Sequence, residues 1–274
     1  MRYVNQTSGR RMRRLICFAL LTANAISPQV IAASPFDGTW KIDTAESDKL
    51  PSAPHIYLLQ DGVYQCASCD PQLKILADGR DHRVTGEPCY DAVMVTVLDA
   101  RTVEETEKKN GKSVGSSRMS VAPDGKTATV TWMTSCNANA EAITGTDVES
   151  RLADGPRGSH AISGSWHISK RLSRSENALV VTLTLNDEVF TFADPSGQGY
   201  AARLDGTETP FKGDLSHMVV SVKRVGDAIE ETDKRNGAVV SITRYTLSAD
   251  GKTLTVSMEN KANATTRQFI ARKQ

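Results

Sequence analysis

Apolar and polar positions along most of this chain alternate with a period of two, the pattern of a strand with one face buried and one face wet. The run from Val239 to Leu247 leads into Asp250-Gly251, and Thr253 to Met258 then carries the chain back. Asn110-Gly111 and Asn236-Gly237 sit between alternating runs and predict tight hairpins, and Asp61-Gly62 predicts another turn. Turn signals recur every 8–12 residues or so, the spacing of sandwiches and barrels. No window sustains a period of 3.6, although Ala45 to Lys49 has room for one helical turn. The prediction is an all-β antiparallel meander. A meander this long avoids exposed edges most simply by closing into a barrel.

The chain also repeats itself. Gly38-Thr39-Trp40 returns 126 positions later as Gly164-Ser165-Trp166. The run Glu104 to Gly111 returns as Glu230 to Gly237, and Asp124-Gly125-Lys126-Thr127 returns as Asp250-Gly251-Lys252-Thr253. Landmarks repeated in the same order mark a duplicated domain of ordinary small size. The expected organisation is a signal peptide at 1–33, a β-barrel domain at 34–152, a turn-rich linker at 153–160 and a second barrel at 161–274.

A Gly-x-Trp on the first strand of an up-and-down meander resembles the lipocalin and calycin barrels. The whole chain, from about residue 36 onward, is similar to a group of exported bacterial proteins with two such domains. The resemblance implies that each Trp lies near the closed end of its barrel, against a basic residue from a late strand. Arg151 is the expected partner of Trp40, and Arg272 that of Trp166.

Composition adds the compartment. Residues 1–33 carry five arginines and no acid, and Arg10 to Arg14 precede an apolar stretch from Leu15 to Ala25. This is a secretory signal pattern, with small-residue cleavage options after Ala25 and after Ala32 or Ala33. Met12 offers a second start. The remainder holds 28 basic against 32 acidic side chains. That balance argues against nucleic acid as a partner. No apolar run is long enough to span a bilayer, so an integral membrane protein is not expected. A periplasmic or secreted location follows as the expectation.

Four cysteines, Cys66, Cys69, Cys89 and Cys136, lie in the first copy, and the second copy has none. In an oxidising compartment they read as disulfides, with Cys66–Cys69 and Cys89–Cys136 the preferred pairing. A Cys-dependent metal or redox site is the alternative. However, the strand context offers Cys66 no helix N-terminus to stabilise a thiolate. The five histidines show no metal-binding spacing, and neither a metal nor a cofactor is expected. No nucleophile elbow, P-loop, zinc-protease or dinucleotide motif appears, so the chain is not expected to be an enzyme.

The acidic hairpins are the remaining candidates. Regular pairing across Asn110-Gly111 sets Glu105 opposite Ser116, with Arg118 diagonal to Glu105. The second copy likewise sets Arg244 diagonal to Glu231. A solvated hairpin laced with weak ion pairs is the preferred reading. The alternative is a polar barrel interior, with Glu105, Arg118, Glu231 and Arg244 binding an anionic ligand head. The function expected is non-catalytic binding of a small amphiphilic or apolar molecule. An envelope interaction module with filled barrels is its rival.

Overall fold

The computed structural model describes residues 33–47, 53–69, 71–261 and 264–274. The expected signal segment, its cleavage positions and the alternative start at Met12 lie outside these residues, apart from Ala33. The first copy supplies β1 (Gly38–Ile42), the short helix α1 (Thr44–Ser47), β2 (His55–Gln60), β3 (Val63–Cys66), β4 (Leu73–Leu76) and β5 (Asp78–Arg83). It continues with β6 (Ala92–Asp99), β7 (Thr102–Lys109), β8 (Lys112–Val121), β9 (Thr127–Thr134) and β10 (Ile143–Asp154). The second copy supplies β11 (Gly164–Arg174), β12 (Val180–Asn186), β13 (Val189–Ala193), β14 (Gly199–Arg203) and β15 (Thr209–Pro210). It ends with β16 (Val219–Val225), β17 (Ala228–Arg235), β18 (Ala238–Leu247), β19 (Thr253–Asn260) and β20 (Thr265–Lys273).

These strands form two ten-stranded antiparallel sheets, each curled into a nearly closed barrel. The fold class is the predicted one. The strands, however, do not all stay with their own copy. β1 lies between β12 and β20, in the barrel otherwise built from the second copy. β11 lies between β10 and β2, in the barrel built from the first. The first strands of the two copies are exchanged. Barrel 1 is therefore the continuous run β2 to β11, and barrel 2 is β12 to β20 completed by β1. The segment expected as a linker at 153–160 instead joins β10 to β11 within barrel 1, where Asp154 pairs with Gly164. The chain passes between barrels elsewhere, after β1 and after β11.

The exchange redistributes the tryptophan partners. Trp166 pairs across the sheet with Arg151, whose guanidinium lies 3.9 Å from the ring centroid. Trp40 pairs with Lys273, whose Nζ is 5.5 Å from its ring. The expectation that Arg151 covers Trp40 and Arg272 covers Trp166 is thus corrected. Arg272 is one residue out of phase and faces Asp43 and Thr253 on the other side of the strand. Both tryptophans are fully buried, and each donates its Nε1–H to the carbonyl four residues earlier, Phe36 or Ile162, at 2.9 Å. The motif glycines have a reason too. Gly38 and Gly164 have φ of 140° and 133°, and a Cβ on Gly164 would lie 2.4 Å from the Ala153 carbonyl oxygen.

The predicted hairpins form as expected. Asn110-Gly111 and Asn236-Gly237 both take positive φ at consecutive positions, the geometry of a type I′ turn. Lys109 then pairs with Lys112, as predicted. Two positions on, a β-bulge intervenes. Val114 has no opposite number between the pairs Lys108–Ser113 and Glu107–Gly115, and Val240 is the equivalent residue in the second copy. Every later pair shifts by one, so Glu105 faces Ser117, and Glu104 faces Arg118.

Candidate functional site

Barrel 1 opens into a cleft of about 370 Å³ lined by residues of both barrels. His55 and Tyr57 come from β2, Trp132 from β9, Asp147 and Glu149 from β10, and Arg171 and Arg174 from β11. β20 of the other barrel adds Arg267 and Phe269, and Ser47 and Ala53 also line the cleft.

Two hydrogen-bonded groups organise it. Asp147 Oδ2 accepts from Trp132 Nε1 at 2.9 Å, and Oδ1 accepts from Arg174 Nη2 at 2.5 Å. The Arg174 guanidinium also lies 5.0 Å from the Trp132 ring centroid. Gly145 makes room for this arrangement, because a Cβ there would sit 2.5 Å from the Trp132 ring and 2.7 Å from Arg174 Nη1. The second group is His55 on Glu149, with Nδ1 2.6 Å from Oε1. Glu149 is only 2% exposed, and its Oε2 has no hydrogen-bond partner among the described residues. A sealed carboxylate with half its acceptor capacity unmet is costly to stability. Burial and the nearby Glu149 and Glu105 charges push the Tyr57 phenol well above its ordinary range, so it stays a neutral hydroxyl.

The duplication supplies an internal control. Sheet register equates His55, opposite Trp166, with Val181, opposite Trp40. Asp147 pairs with Val130, as Phe269 pairs with Val256; Glu149 pairs with Ala128, as Ala271 pairs with Leu254. At the repeat offset Trp132 corresponds to Met258. The polar set of barrel 1 thus stands where barrel 2 has Val, Phe, Ala and Met. Barrel 2 instead fills its interior with Phe36, Phe190, Tyr200 and Tyr245, joined by Phe192 and Phe211.

The residues singled out from sequence lie elsewhere. Arg118 bonds Glu104 and Arg244 bonds Glu230, both pairs on the outer face, and Lys223 also reaches Glu230. Glu105 and Glu231 face inward without them. The proposed diagonal pairs are therefore corrected, and the bulge is the cause. The preferred reading of a hairpin solvated on both faces fails on the inner face. Glu231 is 4% exposed and accepts hydrogen bonds from Tyr200 Oη and, at 2.7 Å, Tyr245 Oη. Burial beside Asp233 pushes its carboxyl up to about 8. Asp233, itself raised by burial, accepts from Ser241 Oγ at 2.5 Å. In barrel 1, burial raises Glu105, which Tyr64 meets, and lifts Glu107 to about 7.

Both predicted cysteine pairs form, Cys66 with Cys69 and Cys89 with Cys136, with Cα separations of 5.4 and 5.6 Å. Among the described residues no three His, Cys, Asp or Glu side chains gather as a metal site, and no helix is long and apolar enough to cross a membrane. Sequence reasoning did not find His55, Trp132, Asp147, Glu149 or Arg174. The available signal was the mismatch between copies at repeat-equivalent positions. No protein-family model and no curated protein matches the chain.

Proposed function

We propose that this chain is a non-catalytic binding protein of lipocalin or calycin type, in which barrel 1 holds a small amphiphilic molecule and barrel 2 is the filled, structural copy. The cleft carries this reading. Its volume lies within the range of small-molecule sites. Tyr57, Val130, Ile168 and Phe269 give it an apolar wall, and arginines give it a polar rim. Barrel 1 keeps His55, Asp147, Glu149 and Trp132 where barrel 2 has Val181, Phe269, Ala271 and Met258, and that difference supports a use for them there. The two disulfides and the signal-like N-terminus support a periplasmic or secreted setting.

Native mass spectrometry of protein purified from its own host tests the reading. The expected result is a small molecule retained by the wild type and lost from Gly145→Leu, which fills the space held by Trp132 and Arg174. Trp132 fluorescence offers a second measurement, since Trp40 and Trp166 are sealed in the cores. A host-purified protein with no adduct, whose Trp132 emission responds to no amphiphile, would overturn the reading.

A further inference from the structure

We infer that the interior of barrel 1 holds the ammonium head of an organic amine, seated on the carboxyl groups of Glu105 and Glu107. This rests on the reading above and specifies the head of the bound molecule. Both barrels turn an acid pair inward from equivalent strands, Glu105 and Glu107 on β7 and Glu231 and Asp233 on β17. Barrel 2 meets its pair with three hydroxyls, Tyr200 and Tyr245 on Glu231 and Ser241 on Asp233. Sheet register gives the barrel 1 equivalents. Tyr200 pairs with Phe192 as Leu73 pairs with Cys66. Tyr245 pairs with Ile229 as Met119 pairs with Val103, and Ser241 pairs with Asp233 as Gly115 pairs with Glu107. The side chains of Leu73, Met119 and Gly115 have no donor to give. Tyr64, at the place of Phe190, returns one hydroxyl, to Glu105.

The lost hydroxyls leave space beside the acids. Glu105 lines a cavity of about 30 Å³ with Tyr57, Tyr64 and Met119. Glu105 and Glu107 together line a space of about 250 Å³ with Ser117, Trp132 and Thr134. Both adjoin the cleft, which shares Ser117 with each of them. Gly115 helps to shape this space, because a Cβ there would collide with Glu107 Oε2. Among the described residues no Lys, Arg or His lines either space. The adjoining cleft wall adds Glu149, 2% exposed, whose Oε2 has no hydrogen-bond partner among the described residues. Arg174, on the same wall, is engaged by Asp147. The interior therefore offers acceptors and calls for a donor. An ammonium brings three N–H donors and the opposite charge. A metal ion would need more ligands, and among the described residues no three His, Cys, Asp or Glu gather to supply them. The sign is opposite to that of the anionic head expected from sequence at Arg118 and Arg244, which lie on the outer face.

The test is calorimetric titration of the full chain with three probes that share one body, 4-phenylbutylamine, 4-phenylbutan-1-ol and 4-phenylbutanoate. At about pH 8 the amine should bind saturably and at least about tenfold tighter than the alcohol, with the carboxylate weakest of the three. Glu107→Gln should erase the amine's advantage over the alcohol. The double variant Gly115→Ser/Met119→Tyr places two of barrel 2's hydroxyls beside the acids, and it should erase that advantage too, with its fold checked by thermal melting. Burial holds both carboxyls above their ordinary range, Glu107 at about 7, so seating an ammonium releases a proton. Tyr57 and Tyr64 on β2 and β3, Glu87 before β6 and Glu149 on β10 surround the pair, and none is cationic. The amine's affinity should therefore rise between about pH 6 and 8.5, with an enthalpy that tracks the ionisation heat of the buffer. If the alcohol or the carboxylate binds as tightly as the amine, the inference fails and the binding reading stands. If no probe binds, both fail. An amine advantage that survives in the folded variants would also overturn the inference.

Discussion

Glu231 shows how much one residue's environment decides. Its carboxyl is ordinary in the unfolded chain but holds its proton up to about pH 8 when folded, because burial beside Asp233 penalises the charge. Above about pH 4.5 the unfolded state releases a proton that the folded state keeps, so stability falls as pH rises towards 8. Glu107, lifted to about 7, has the same sign. The melting temperature is expected to drop steadily between pH 5 and 8.5, and Glu231→Gln should flatten much of that slope. A curve rising with pH across this window would contradict the buried, protonated assignment. Arginines separate by partner in the same way. Arg151 donates to the carbonyls of Gly125, Ser163 and Ala161 at 2.5–2.6 Å while stacking on Trp166. Arg151→Ala is expected to cost about 2–4 kcal/mol in urea denaturation, since buried carbonyls lose a charged donor. Arg118→Ala and Arg244→Ala should cost less than about 1 kcal/mol each, because both guanidinium groups are more than half exposed.

Among the elements, the two disulfides hold very different lengths of chain. Cys89–Cys136 spans 47 residues and ties the segment before β6 to the end of β9, whereas Cys66–Cys69 closes a loop at the end of β3. In the chain-entropy account their removal is worth about 4 and at most about 2 kcal/mol respectively. Cys89→Ser/Cys136→Ser should therefore lower the denaturation midpoint more than Cys66→Ser/Cys69→Ser. Equal losses would refute the entropic ordering. The bulge after each Asn-Gly turn is the other feature of this scale. It exchanges the residues that face Arg118 and Arg244, so that the inward carboxylates, Glu105 and Glu107 in one hairpin and Glu231 and Asp233 in the other, have Ser, Gly or Thr opposite them rather than Arg.

Across the whole molecule, strand exchange makes the foldable unit differ from the repeated one. Residues 53–175 contain β2 to β11 without interruption, the complete barrel 1. Residues 34–152 contain one full sequence copy but lack β11, so β2 and β10 each lose a neighbour and Trp166 leaves the core. The 53–175 fragment is expected to give a cooperative thermal transition and near-ultraviolet dichroism, and the 34–152 fragment neither. Equivalent folding of both would mean that the exchanged strand is dispensable.

Alternation, Asn-Gly turns and the repeat were enough to read an all-β duplicated barrel, because strand and turn propensities act over a few residues. The two cysteine pairs were legible as well, since four cysteines in one copy allow only three pairings and the close Cys66–Cys69 spacing selects one of them. Strand ownership was not legible. β1 and β11 carry nearly the same Gly-x-Trp signal, so the sequence does not assign either strand to a barrel. The register beyond the turns was also hidden, because Val114 and Val240 look like ordinary strand residues until the pairing is seen. The cleft depended on both. His55, Asp147, Glu149 and Arg174 are scattered polar residues in the sequence, and they become one site when β11 enters the first barrel and β20 closes over its mouth.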